Sequence, residues 1–261
     1  MSMVHSDGKY IPFVVLFEGR SGSTYLIEAL DSHPQIHAEK ECLATLRRRV
    51  KEGKAEPEEQ LKWVREFLGS SPPVGCFAVG FKTKYRDVLD PEGLARLLEK
   101  LQVKVLLLQR RNRIKLVVSL MNAIRLNDTT GDWNLYRATD RLPAMTIDVD
   151  EFSDYLKKVE ERNRLLVNYA HTLNLPTLSL YYENLLVNNR VTLQQVCTFL
   201  GVQFKTLRPG TMKNTSDNLR EVIVNFDELR YHYVGASYEK MFDEVLITTR
   251  YNDNKIGKPI K

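Results

Sequence analysis

A continuous apolar run, Ile11–Phe17 (IPFVVLF), leads directly into a glycine-punctuated loop, EGRSGST at residues 18–24. Seven residues rich in β-branched and aromatic types, without polar alternation, predict a strand buried on both faces. Residues 24–32 (TYLIEALDS) then place apolar side chains at helical spacing, and His33-Pro34 closes that helix. The unit is strand, tight loop, helix. A doubly buried strand needs helices on both sides of its sheet, which commits the chain to an α/β architecture.

The rest of the chain repeats the alternation. Strands are predicted at 76–81 (CFAVGF), 103–108 (VKVLLL) and 177–181 (TLSLY). Helices are predicted at 57–68, 91–101, 114–126, 150–173 and 191–200. Pro91 falls in a first helical turn, where its missing N–H costs nothing, and Gly201 follows the last of these helices. The expectation is one domain over residues 1–261, with 1–9 and 251–261 as loose tails.

Composition excludes several classes. Three cysteines, Cys42, Cys76 and Cys197, form no CxxC pair, so neither a disulfide framework nor a metal site is predicted. Residues 1–10 lack the apolar stretch of a signal peptide, and no apolar run is long enough to span a bilayer. These features predict a cytoplasmic protein without a membrane span. The net charge of +5 favours an anionic ligand. The basic residues are dispersed and no nucleic-acid-binding motif is present, so nucleic acid is not an expected partner.

The loop at 18–22 carries the first chemical signal. Gly19 and Gly22 permit a tight turn, and the helix start then offers free N–H groups and the positive dipole end to an anion. Arg20 adds a fixed charge, and Ser21, Ser23 and Thr24 add hydroxyls. The same spacing also suits a bare strand-to-helix turn with no ligand. The pattern GxxxxGK[ST] is not met, because Ser23 rather than a lysine follows Gly22. A metal-dependent nucleotide enzyme also needs a strand-end acid, whereas the strand at 103–108 ends in Gln109-Arg110-Arg111. The fold class expected is therefore a three-layer, P-loop-type parallel sheet whose anion site works without a metal.

The second signal is RRNRIKLVVS, residues 110–119. Arg111 leaves the strand end and Ser119 lies on the following helix, a spacing that lets a guanidinium and a hydroxyl converge on one phosphate. Cations at a helix N-terminus oppose its dipole, which suggests that a ligand compensates them.

With both motifs in place, the chain resembles the sulfotransferases that use 3′-phosphoadenosine-5′-phosphosulfate (PAPS). PFVVLFEGRSGSTYL resembles the family's 5′-phosphosulfate loop, and RRNRIKLVVSL its 3′-phosphate motif. The wording is closest to the bacterial-type branch with trehalose and nodulation-factor sulfotransferases, which often has Arg at the place of Arg20. SHPQIHAEKECL, GFKTKY, YYENLL and KNTSDNLREVIVNFDEL resemble further family segments in order, over residues 12 to about 243.

The resemblance implies sulfuryl transfer from PAPS to a small-molecule or carbohydrate acceptor, leaving adenosine 3′,5′-bisphosphate (PAP). It implies donor binding by Arg20, Ser21, Gly22, Ser23, Thr24, Arg111 and Ser119, with Tyr182 beside the loop and Lys213 in the C-terminal segment. It implies catalytic roles for Arg20, for Lys82 at the transferring group and for Glu41 as general base. Glu39 is the near alternative to Glu41, and His33 and His37 are further candidates in the same segment. Trp63 and Trp133 are expected to pack, with Trp133 in a segment that borders the acceptor side. The rival readings are a P-loop nucleotide kinase or hydrolase and a noncatalytic nucleotide-binding protein.

Overall fold

In the computed structural model, residues 10–207 and 215–246 are described. Five strands form one parallel sheet: β1 (Ile11–Phe17), β2 (Ile36–Glu39), β3 (Ala78–Thr83), β4 (Lys104–Gln109) and β5 (Thr177–Tyr181). Their order is β2-β3-β1-β4-β5, so the strand read first in the sequence is also the central one. Helices α1 (Ser23–Asp31), α2 (Cys42–Lys51), α3 (Glu59–Gly69), α4 (Pro91–Lys100), α5 (Arg113–Thr130), α6 (Val149–Thr172), α7 (Tyr182–Val187) and α8 (Asn189–Phe199) connect or cover the strands. Two short helices, α9 (Phe226–His232) and α10 (Glu239–Asp243), close the described chain. This is the three-layer α/β class expected from the sequence. No helix among the described residues is long and apolar enough to cross a membrane.

The strand period of two divides the core. Phe13, Val15 and Phe17 of β1 pack with Leu26 and Leu30 of α1 and with Val196 and Cys197 of α8. Val14 and Leu16 face the other way, onto Leu43, Val64, Leu94 and Leu166 from α2, α3, α4 and α6. All five of these β1 side chains are at most 1% exposed, which is why the run shows no polar alternation. A third cluster joins α5 and α6 to α9 and α10, through Val117, Phe152, Leu229 and Phe242.

The strand predicted at 76–81 begins two residues later, at Ala78, and extends to Thr83. Cys76 and Phe77 lead into it, and the Phe77 N–H donates to the Gln35 carbonyl (2.8 Å). Apolar counting favours Cys76 and Phe77 over Lys82 and Thr83, yet Lys82 and Thr83 are 2% and 1% exposed. β2, α2 and α7 were not predicted. β2 is a four-residue edge strand that pairs only with β3, and α2 buries Leu43 alone. The expected tails at 1–9 and 251–261 lie outside the described residues.

The chain leaves β1 to one side for β2 and β3 and to the other for β4 and β5. Parallel strands end on one edge of the sheet, and ligands of such sheets bind beyond those ends, where the connections diverge. The turns after β1, β2, β3, β4 and β5 carry Arg20, Glu41, Lys84, Arg110 and Tyr182.

Candidate active site

The turn after β1 is held in an uncommon shape. Arg20 has φ 67° and Gly22 φ 83°, both in the left-handed region. The space at Gly22 decides its residue type, because an added Cβ would lie 2.7 Å from a ring carbon of Tyr182. The Ser21 hydroxyl donates to the Glu18 carbonyl (2.7 Å) and closes the loop on itself. Helix α1 then starts with no side-chain cap and no acidic residue in its first turn. No side chain of the first turn answers its positive dipole end.

Arg20 bridges the two predicted motifs. Its Nε donates to Ser119 Oγ (3.2 Å), and one terminal nitrogen donates to the Trp133 carbonyl (2.9 Å) and to Asn134 Oδ1 (3.2 Å). Burial, with Arg110 close by, lowers the Arg20 pKa to about 10. Loss of hydration disfavours the charged form, and a second cation disfavours it further.

Lys82 continues the row of β3 residues that faces α1. Its ammonium donates to Thr24 Oγ1 (2.9 Å) and Ser23 Oγ (3.4 Å) and lies 3.2 Å from Glu41 Oε1. The other Glu41 oxygen accepts from Lys84, whose ammonium also reaches Asp87 Oδ2 (3.4 Å). Both ammoniums stand 5.1 Å from the Phe17 ring centroid. Burial pushes the Lys82 pKa below its ordinary value, against the pull of Glu41. Burial pushes Glu41 up, but Lys82 and Lys84 outweigh it, and the carboxyl is held below its ordinary value.

These contacts sort the candidate bases by position. Glu41 directly precedes α2 and meets the lysines. Glu39 ends β2, opposite Phe81. His33 is 1% exposed, with one ring nitrogen accepting from Gln35 N–H (3.0 Å) and the other 2.9 Å from the Gln203 carbonyl. His37 packs on Phe67 and lies 3.6 Å from Asp31. Trp63 stacks on Phe67 at 4.8 Å, whereas Trp133 is 53% exposed beside Arg20.

The turn after β4 is built differently. Asn112 caps α5 by accepting from the Lys115 N–H (2.8 Å). The buried carboxylate of Glu183, at the start of α7, accepts from the N–H groups of Arg111 (3.0 Å) and Asn112 (3.1 Å). The expected compensation of a basic helix start is therefore present within the chain, as Glu183. Arg111 is exposed, and its guanidinium lies 3.7 Å from the Tyr181 ring centroid. Ser119 receives its hydrogen bond from Arg20, not from Arg111. Tyr182 packs against Gly22 and carries the Arg110 guanidinium 4.4 Å over its ring. Lys213 lies outside the described residues.

Sequence reading passed over Arg110, Lys84 and Glu183. Strand alternation was the available signal for two of them. Leu106 and Leu108 face α1, and Arg110 continues their row. Ala78 faces the same side of β3, and Lys82 and Lys84 continue from it.

Comparison with known proteins places the chain beside nodulation proteins. Nodulation protein H of Rhizobium tropici is 27% identical over 251 residues, covering 92% of this chain and 96% of that protein. Nodulation protein H of Rhizobium meliloti is 25% identical over 257 residues, covering 92% of this chain and 98% of that protein. Among solved structures, a sulfotransferase from Alicyclobacillus acidocaldarius aligns at 15% identity and TM-score 0.48, over 89% of this chain and 95% of that one. The sulfotransferase domain from the Synechococcus PCC 7002 olefin synthase aligns at 18% identity and TM-score 0.44, over 83% and 84% of the two chains. No family model matches the chain. Along nearly its whole length the chain is similar to nodulation protein H, which agrees with the resemblance of its two motifs to the bacterial-type branch with trehalose and nodulation-factor sulfotransferases.

Proposed function

We propose that this chain is a sulfotransferase that moves a sulfuryl group from PAPS to a hydroxyl or amine of a small-molecule or carbohydrate acceptor. The observation that carries the reading is the Arg20–Ser119 hydrogen bond, 3.2 Å, which joins the turn after β1 to the helix after β4. Two motifs predicted to hold the two ends of one nucleotide thereby share a site. Among the described residues Arg20 has only neutral hydrogen-bond partners, a hydroxyl, a carbonyl and an amide oxygen, so its charge is open to a phosphate.

The donor would supply an activated sulfuryl group on a phosphate leaving group, and the residues of the chain divide the remaining work. Arg20 and the uncapped start of α1 hold the 5′-phosphate and stabilise the charge that grows on the bridging oxygen. Lys82, fixed by Ser23 and Thr24, presents an ammonium to the transferring group. Ser119 and Arg111 hold the 3′-phosphate and set the register of the donor, so that remote binding energy orients the reacting centre. Glu41 takes the proton of the acceptor. Lys82 and Lys84 keep it ionised, the state a base requires, and the same pairing weakens its basicity. Its advantage is position, 3.2 Å from the Lys82 ammonium, rather than strength.

Isothermal titration with PAP in the absence of Mg²⁺ tests the donor assignment, with saturable binding expected. Binding of ATP that requires Mg²⁺, with no response to PAP, contradicts it. Glu41→Gln is expected to keep PAP affinity and to lose turnover of labelled PAPS by about 100-fold or more. Turnover at the unmodified level removes Glu41 from the mechanism.

A further inference from the structure

Among the described residues, three buried side-chain polar atoms have no hydrogen-bond partner: Arg110 Nε, Lys115 Nζ and Thr215 Oγ1. Lys115 pairs in charge with Asp217 and Thr215 is a neutral hydroxyl, which leaves Arg110 as the cation to explain. The Arg110 guanidinium lies 4.4 Å over the ring of Tyr182, the residue that packs on Gly22. Asp217 stands 2.9 Å from Lys115 Nζ, close enough to pair in charge but without hydrogen-bond geometry, and it follows Thr215 by two residues. Buried donors without acceptors are rare because each forfeits its hydration, and Arg110 Nε is the one of the three on a cation that no carboxylate is shown to answer among the described residues, so it calls for an acceptor from outside the chain.

Arg110 is the member at the phosphate loop. It is 6% exposed, and one terminal nitrogen donates to the carbonyl of Arg20 (3.2 Å), the residue in the left-handed turn. Two guanidinium groups therefore stand together at one loop, and among the described residues the contacts of Arg110 are a carbonyl and an aromatic ring, not a carboxylate. Such a pair repels itself, and a phosphate relieves it, since guanidinium nitrogens form a planar fork that matches phosphate oxygens. We infer that Arg110 is a second anion-binding guanidinium of the donor site, taking a phosphate oxygen on its free Nε while its terminal nitrogen pins the turn at Arg20. The inference rests on the donor assignment made above, and it adds to Arg111 an inner residue that the paired-motif spacing does not pick out.

The test is titration of PAP into the unmodified chain, Arg110→Gln and Arg110→Lys, with the melting temperature of each protein measured alongside. The unmodified chain is expected to bind. Arg110→Gln is expected to bind about 10- to 100-fold more weakly, the worth of one charged hydrogen bond. Arg110→Lys restores the charge but not the fork, and is expected to recover only part of that loss. Unmodified affinity in both folded variants overturns the inference. Should Arg110→Gln not fold, Arg110→Lys alone decides by the same criterion. If the unmodified chain does not bind PAP, the donor assignment falls, and inorganic pyrophosphate then separates the two ideas. Pyrophosphate that raises the melting temperature of the unmodified chain more than that of Arg110→Lys keeps the anion site, and equal shifts remove it.

Discussion

The turns after β1 and β4 are neighbours in the sheet and share one topology, strand to loop to helix, yet they treat their helix ends in opposite ways. At α1 the N-terminus has no side-chain cap and no acidic residue in its first turn. At α5 the N-terminus is capped by Asn112 and closed by the Glu183 carboxylate. An open helix end attracts anions through backbone N–H groups and the dipole. A closed one has spent that attraction on its own chain. Under the proposed function the 3′-phosphate near β4 therefore falls to side chains, those of Arg111 and Ser119. Equal topology thus gives two different helix ends, one uncapped and one closed by its own chain.

The largest expected effect comes from the open end. Arg20→Ala removes the cation at the turn after β1, and turnover of PAPS is expected to fall by about 100- to 1000-fold, the usual loss when one charge-stabilising donor is removed. A fall of less than threefold in steady-state assays would mean that the α1 terminus works without it. The closed end is expected to respond in stability instead. Glu183→Gln weakens the acceptor for the N–H groups of Arg111 and Asn112, at about 1.5–3 kcal/mol in urea denaturation, with PAP affinity nearly unchanged. If Glu183→Gln tightened PAP binding and cost no stability, Glu183 would be a competitor of the ligand rather than a cap. The smallest effect is electrostatic. Lys84→Met removes one of the two ammoniums that depress the Glu41 pKa, so the acidic limb of the kcat/KM profile is expected to move to higher pH. The depressed carboxyl contributes stability that is full above the ordinary glutamate range and lost as pH falls through its own lower value. Lys84→Met should therefore also flatten the loss of stability on acidification. An unmoved limb would detach Glu41 from the rate.

The sequence exposes the elements whose signals are local. β1, β5, α1, α4 and α6 fall within a residue or two of their expected positions, because each has an apolar pattern or a cap that acts within its own length. β2 has four residues, and its partner β3 lies some forty residues downstream, so nothing within IHAE marks it as a strand. The chemistry divides in the same way. The residue types of the phosphate loop, the Arg–Ser motif and the Glu41 segment are visible as text. Their pairing is not, since Arg20 meets Ser119 across 99 positions and Glu183 reaches back 72 to the Arg111 N–H. Charge compensation at α5 was expected from a ligand because its real source follows a different strand.

A crystal structure with PAP bound tests the central claim most directly. The expected result is one nucleotide across the C-terminal edge of the sheet, its 5′-phosphate on the start of α1 beside Arg20 and its 3′-phosphate at Ser119. A nucleotide seated elsewhere, or one whose two phosphates both crowd the turn after β1, would contradict the division of labour between the open and the closed helix ends.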